Sequence, residues 1–306
     1  MENVITGEQV VNSFKADVES FFGRDKFQLR IEAGGFRPAC KGKGKTARII
    51  LPQEMLDKSI ETTNDMALIL IVLGHEAAHY LNRHNEHEDQ SSVETRALEM
   101  WADFFGMKLA LVAMTFGGNL QNISAALAGW NSSDKRTDSV AEALAILSAS
   151  YFSEKHESYP SAATRVATCI AGALSFFETV YQIQDAAKGG HTAYLHASNP
   201  ETIVKRALGV QQRIYKNPVI CALHSKNEDS LLSSDQIETI HAVHRNIQGD
   251  QPAMFDGMAP IPAMWLRLDY RVGDEQRRAI AIEKRRVLRE TLNQLGIDAS
   301  PLDQGT

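Results

Sequence analysis

Eight apolar residues in succession, Met66 to Leu73, run straight into Gly74-His75-Glu76-Ala77-Ala78-His79, and this join limits the fold more than any other stretch of the chain. An apolar run of this length followed by small residues at Gly74, Ala77 and Ala78 reads as a buried helix that other backbone can approach closely. Asp65 stands where it can cap that helix. Residues four apart share a helix face, so His75 and His79 would enter the interior side by side. Two buried imidazoles beside a buried Glu76 are expensive unless a cation joins them. One Zn2+ ion shared by His75 and His79, with Glu76 placed to handle a water molecule, relieves all three groups.

A catalytic zinc site takes three protein ligands and keeps one position open, so a third donor must come from elsewhere in the chain. Glu99-Met100-Trp101-Ala102-Asp103 lies on a second apolar helix read from about residue 93 to 114. Glu99 and Asp103 share a face, one able to coordinate the ion while the other accepts the outer N–H of a ligating histidine. Glu99 is the expected third ligand because Asp103 accompanies it; Glu94 and Glu88 are the alternatives. His84 and His87 read as part of a solvated loop. Structural zinc is usually closed by four ligands rich in cysteine, and no cysteine neighbours this motif, which favours catalysis over a purely structural ion.

The 32 Lys and Arg against 38 Asp and Glu give a formal net charge of -6, and no basic stripe is present, so nucleic acid is not an expected partner. Arg277-Arg278 and Lys284-Arg285-Arg286 alternate with glutamates and read as a solvated helix face. Cys40, Cys169 and Cys221 are few, odd in number and widely spaced, which argues against a disulfide framework. The first residues carry neither a basic start nor an apolar run, and no apolar stretch reaches the roughly 20 residues a membrane helix needs. The expectation is a cytoplasmic protein with no membrane partner.

Elsewhere, Val10, Val11, Phe14, Val18, Phe21 and Phe22 follow helical spacing up to Gly23. Phe27 to Ile31 and Ala47 to Leu51 read as short strands joined by a glycine- and lysine-rich mobile hairpin tip. Further helices are expected at about 138–152, 161–183, 200–215, 234–247 and 273–294. The fold class is therefore α+β and mostly helical: a domain over 1–185 that carries the His75–His79 motif and a small N-terminal sheet, and a helical C-terminal lobe over 186–306. Arg48-Ile49-Ile50-Leu51 is read chiefly as a core strand, and alternatively as a sheet edge on which an extended substrate could lie.

His-Glu-x-x-His followed by Glu-x-x-Ala-Asp-x-x-Gly, here Glu99 through Gly106, resembles the gluzincin metallopeptidases, including the membrane-embedded HtpX group. The soluble Lit-like phage-exclusion peptidases are more similar, since they also place a histidine five residues after the second ligand, here His84. Their pattern continues with a His-Pro-x4-Arg element, which Tyr159-Pro160 through Arg165 matches except that Tyr159 replaces the histidine. The resemblance covers roughly residues 60 to 170. It implies a zincin-like core of two active-site helices and hydrolysis of a peptide bond in a protein substrate, with an unidentified partner as trigger. It also implies a donor near Tyr159 that steadies the oxyanion, a role a tyrosine hydroxyl can fill. His156 and His196 are alternatives for it, and Tyr159 as a hydrophobic staple for the next helix is another reading. Two other functional readings remain: a zinc-containing pseudo-peptidase that only captures a partner, and a repressor-cleaving peptidase resembling the ImmA/IrrE group.

Overall fold

The computed structural model describes residues 4–23, 27–87, 92–127, 129–130, 132–153, 159–189, 200–225, 240–244 and 253–266. It is mostly helical with one three-stranded sheet. Helix α1, Gly7–Phe22, starts at a capping box in which Thr6 accepts from the Gln9 N–H and the Gln9 side chain accepts from the Thr6 N–H. It ends at Gly23, where φ of +85° suits a residue without a side chain.

Strands β1 (Ile31–Ala33), β2 (Ala39–Lys41) and β3 (Arg48–Leu51) are ordered β1-β3-β2, with β1 parallel and β2 antiparallel to β3. The segment read from sequence as a mobile hairpin tip therefore contains a strand. Its glycine and lysine content hid β2, whose short Ala39-Cys40-Lys41 register is set by pairing with β3. Gly42 makes the turn possible: φ is +80°, and a Cβ there would lie 2.4 Å from the Thr46 carbonyl oxygen. The alternative of a substrate-binding edge at Arg48–Leu51 is corrected as well. β3 is the central strand with Ile49 and Leu51 fully buried, and among the described residues β1 and β2 are the two edges.

Helix α2, Gln53–Asp57, leads to the apolar helix α3, Thr63–Leu81. Its cap is Thr62 rather than Asp65. Asp65 stands one turn in and closes the capping box by accepting from the Thr62 N–H at 3.1 Å. Helix α4, Ser92–Phe116, packs along α3, and the two cross where their glycines meet. A Cβ on Gly74 would stand 2.3 Å from the Gly106 carbonyl oxygen, and one on Gly106 would stand 2.6 Å from the His75 nitrogen. Only two residues without side chains permit this approach, and it sets Glu99 and Asp103 against the histidines of α3.

Helix α5, Gly118–Ala126, is capped across the chain by buried Asp17, which accepts from the backbone N–H groups of Asn119 and Leu120. Helices α6 (Ser133–Ala149) and α7 (Ala162–Gly189) complete the surround, α7 crossing α4 where Gly172 meets the Phe104 carbonyl. Helices α8 (Pro200–Tyr215) and α9 (Pro218–Ser225) pack on α6 and α7. Ile203, Val210, Ile214, Ile220, Ile240, Phe255 and Trp265 join the same apolar core as α1, α3 and α4. Residues 240–244 are helical, and the helix expected at 273–294 lies outside the described residues. Among the described residues no helix is long and apolar enough to cross a membrane.

Candidate metal centre

His75 and His79 project from one face of α3, and Glu99 reaches them from α4. The His75 and His79 Nε2 atoms are 3.2 Å apart, while Glu99 oxygens lie 3.4 Å from His75 Nε2 and 3.5 Å from His79 Nε2. Ligands held at 2.0–2.1 Å around a tetrahedral ion are separated by about 3.3 Å, so these three atoms stand where three corners of such a site belong. Among the described residues no fourth His, Cys, Asp or Glu joins the group, which leaves one corner for solvent or substrate. The three atoms could hold a metal ion.

Charge fits the same reading. Glu76 and Asp103 are buried and Glu99 nearly so, and among the described residues the buried counter-ion against them is the Arg165 guanidinium. With neutral imidazoles, three carboxylates against one guanidinium leave two negative charges in a space of low dielectric, a balance that a divalent cation would restore.

The two histidines are supported differently on their outer nitrogens. His75 Nδ1 lies 2.8 Å from Asp103 Oδ1, and Asp103 is gripped by both Nε and Nη2 of Arg165 at 2.8 Å. Burial disfavours the His75 imidazolium, yet the Asp103 and Glu99 carboxylates outweigh it and raise His75 up to about 10. Burial likewise opposes ionisation of Asp103 and Glu99. For Asp103 the Arg165 charge prevails and lowers its pKa; for Glu99 the charge at His79 and the hydrogen bonds from both rings hold it well below the carboxylate range. Arg165 also lies over the Phe152 ring at 4.1 Å.

His79 Nδ1 instead meets His84 Nδ1 at 2.9 Å, and His84 Nε2 meets His244 Nε2 at 3.0 Å. His84 is thus not in a solvated loop. Arg83 turns the chain through a left-handed conformation, φ 56°, and folds His84 back under α3, where it is 4% exposed. His87 is half-buried beyond it.

An open cleft of about 270 Å³ lies over the site, lined by β2 and the Arg37-Pro38 segment before it, by Glu76 and by Tyr151, Tyr159 and Arg165. Tyr151, just after α6, donates to Glu76 Oε1 at 2.6 Å. Burial and then the neighbouring Glu76 charge push the Tyr151 phenol well above its usual value, so it stays a donor at neutral pH. Asn85 donates to Cys40 Sγ at 3.3 Å, and Glu86 accepts from the Gly44 N–H at 3.2 Å, so the turn carrying His84 also holds β2 beside the cleft. The cysteines are free thiols.

Of the residues read from sequence, His75, Glu76, His79, Glu99 and Asp103 come together, and Tyr159 lines the same cleft with its phenol raised first by Glu99 and then by burial. Glu94 does not join the ligand group, and Glu88, His156 and His196 lie outside the described residues. Sequence reasoning missed Tyr151, the clamp formed by Arg165, and the pairing of His84 with His244. For His84 the signal was present in its spacing from His79; for Tyr151 and His244 no local pattern exists. No known family model, curated protein or solved structure matches the chain.

Proposed function

We propose that the chain is a zinc-dependent endopeptidase acting on a protein substrate in the cytoplasm. The observation that carries this reading is the three-cornered arrangement of His75 Nε2, His79 Nε2 and the Glu99 carboxylate, with Glu76 beside its open side. A zinc ion held there supplies Lewis acidity, making a water molecule acidic near neutral pH and polarising a carbonyl.

The residues of the chain divide the remaining work. Glu76 takes the proton from the attacking water and returns it to the leaving amine. Tyr151 occupies Glu76 Oε1 and leaves the other carboxylate oxygen to face the water. As charge develops on the former carbonyl oxygen, the Tyr159 hydroxyl is the neutral donor on the cleft wall placed to meet it, the Tyr151 proton being engaged by Glu76. The free side of β2 offers main-chain N–H and C=O groups to an extended peptide, which places the scissile bond across the cleft. The resemblance to Lit-like peptidases supports a host protein as substrate during phage attack.

The test is Glu76→Gln. The variant retains zinc by mass spectrometry and loses about 10²- to 10⁴-fold in cleavage of a peptide library, as removal of a general base should. Undiminished cleavage by the variant would overturn the mechanism. Bound zinc with no cleavage by the parent under any condition would leave the pseudo-peptidase reading in its place.

A further inference from the structure

The described residues after 186 look remote from the chemistry, yet one of them reaches it. His244, in the helical segment 240–244, is 1% exposed and lies flat on Trp101 of α4, with ring centroids 4.0 Å apart and planes inclined by 12°. Its Nε2 faces His84 Nε2 at 3.0 Å, and His84 Nδ1 faces His79 Nδ1 at 2.9 Å. Three imidazoles therefore stand in a row that begins at a ligand atom's own ring and ends 165 residues further along the chain.

Each contact between two ring nitrogens needs one proton, so a row of neutral imidazoles has only two self-consistent orders. In the first, His79 Nδ1–H donates to His84, His84 Nε2–H donates to His244, and His79 Nε2 keeps its lone pair. In the second, both protons point the other way, and His79 Nε2 carries a hydrogen aimed at His75 and Glu99. Only the first order can bind a metal.

Resting on the metal-centre reading, we propose that His84 and His244 are positioning residues: the segment 240–244, seated on Trp101, fixes the proton order that leaves His79 Nε2 free and holds its ring toward Glu99. All three rings are buried, which disfavours an added charge anywhere in the row. A carboxylate in the place of His84 would fix the same tautomer, but it would add a third unbalanced negative charge to the site; a neutral acceptor that is itself oriented by His244 does not.

The experiment pairs ring-nitrogen NMR of histidine-labelled protein stripped of metal with zinc affinity by chelator competition. In the parent, His79 is expected as the Nδ1–H tautomer and His84 as the Nε2–H tautomer. His84→Leu should scramble the His79 tautomer and weaken zinc about 10- to 100-fold, the range for loss of a ligand's outer hydrogen bond. His244→Leu should act in the same direction with a smaller effect. His84→Gln, whose amide can accept from His79 and donate to His244, should restore both readouts to within a few-fold, which mere loss of packing would not allow. An Nε2–H tautomer at His79 in the parent, or folded His84→Leu protein that binds zinc as tightly as the parent, would overturn the proposal. Correct tautomers in a parent that binds no zinc would instead remove the metal reading and leave the proton order standing.

Discussion

His75 and His79 leave the same helix face one turn apart, and their outer nitrogens meet opposite kinds of partner. His75 meets a carboxylate clamped by an arginine, all within α3, α4 and α7; His79 meets the His84 imidazole, whose far nitrogen in turn meets His244 from residues 240–244. The difference follows from charge. Glu76, Glu99 and Asp103 against Arg165 already match a divalent cation, so the Asp103 side raises the basicity of its ligand while the His84 side orients its ligand without adding charge.

The largest expected effect comes from breaking the charged side. Asp103→Ala removes both the acceptor for His75 Nδ1 and the bidentate partner of a buried guanidinium, and leaving Arg165 with only its 4.0 Å pair to Glu99 should cost about 3–5 kcal/mol in urea unfolding. Asp103→Asn separates the two functions, because it keeps an acceptor for the ring and loses the charge. A midpoint for Asp103→Ala equal to that of the parent would mean that the clamp is not a structural pair. Breaking His84 should by contrast move zinc affinity far more than stability.

Gly106→Ala tests what the two sides share. Its Cβ would sit 2.6 Å from the His75 nitrogen and 2.7 Å from Gly74, so α3 and α4 must part by a fraction of an ångström or more. Overpacking of this kind should cost about 1–3 kcal/mol, and it should weaken zinc through Glu99. Asp17→Ala is the control at a distance. It should lose about 1–2 kcal/mol through the α5 cap and leave zinc affinity unchanged.

The charged side was legible in the sequence and the neutral side was not, for a physical reason. Glu99 and Asp103 are four apart on a helix, so periodicity alone puts them on one face, and the apolar run Met66–Leu73 announces the burial of His75. Gly74 signals a close helix crossing, though its partner Gly106 emerges only from how α3 and α4 pack. His84 was misread because a polar, histidine- and acid-rich stretch ordinarily faces water, whereas the left-handed turn at Arg83 reverses it into the interior. His244 and Tyr151 find their partners 160 and 75 residues away, distances at which no spacing rule operates. The sheet failed for a related reason: β2 has too little apolar character to declare itself and is defined by pairing with β3.

The pH dependence is the most discriminating test, because in the metal-free protein the two sides should respond to pH with opposite sign. His75 is raised from 6.5 to about 10, so the folded state holds its proton more tightly; that stability is complete below pH 6.5 and is lost as pH rises toward 10. His244 is lowered from 6.5 to about 3, with His241, His87 and His79 as charged neighbours if they protonate, so its contribution is complete above pH 6.5 and is lost as pH falls toward 3. Each proton corresponds to a slope of at most about 1.4 kcal/mol per pH unit. Urea unfolding of the stripped protein from pH 4.5 to 9 should therefore show a maximum near pH 6.5. His244→Gln should reduce the slope of the acid limb, leaving the share of His84, which burial also holds well below its ordinary value, and zinc, by holding His75 neutral, should flatten the alkaline limb alone. An acid limb equally steep in His244→Gln would assign it to His84 and the carboxylates and remove His244 from the pH response of the neutral side.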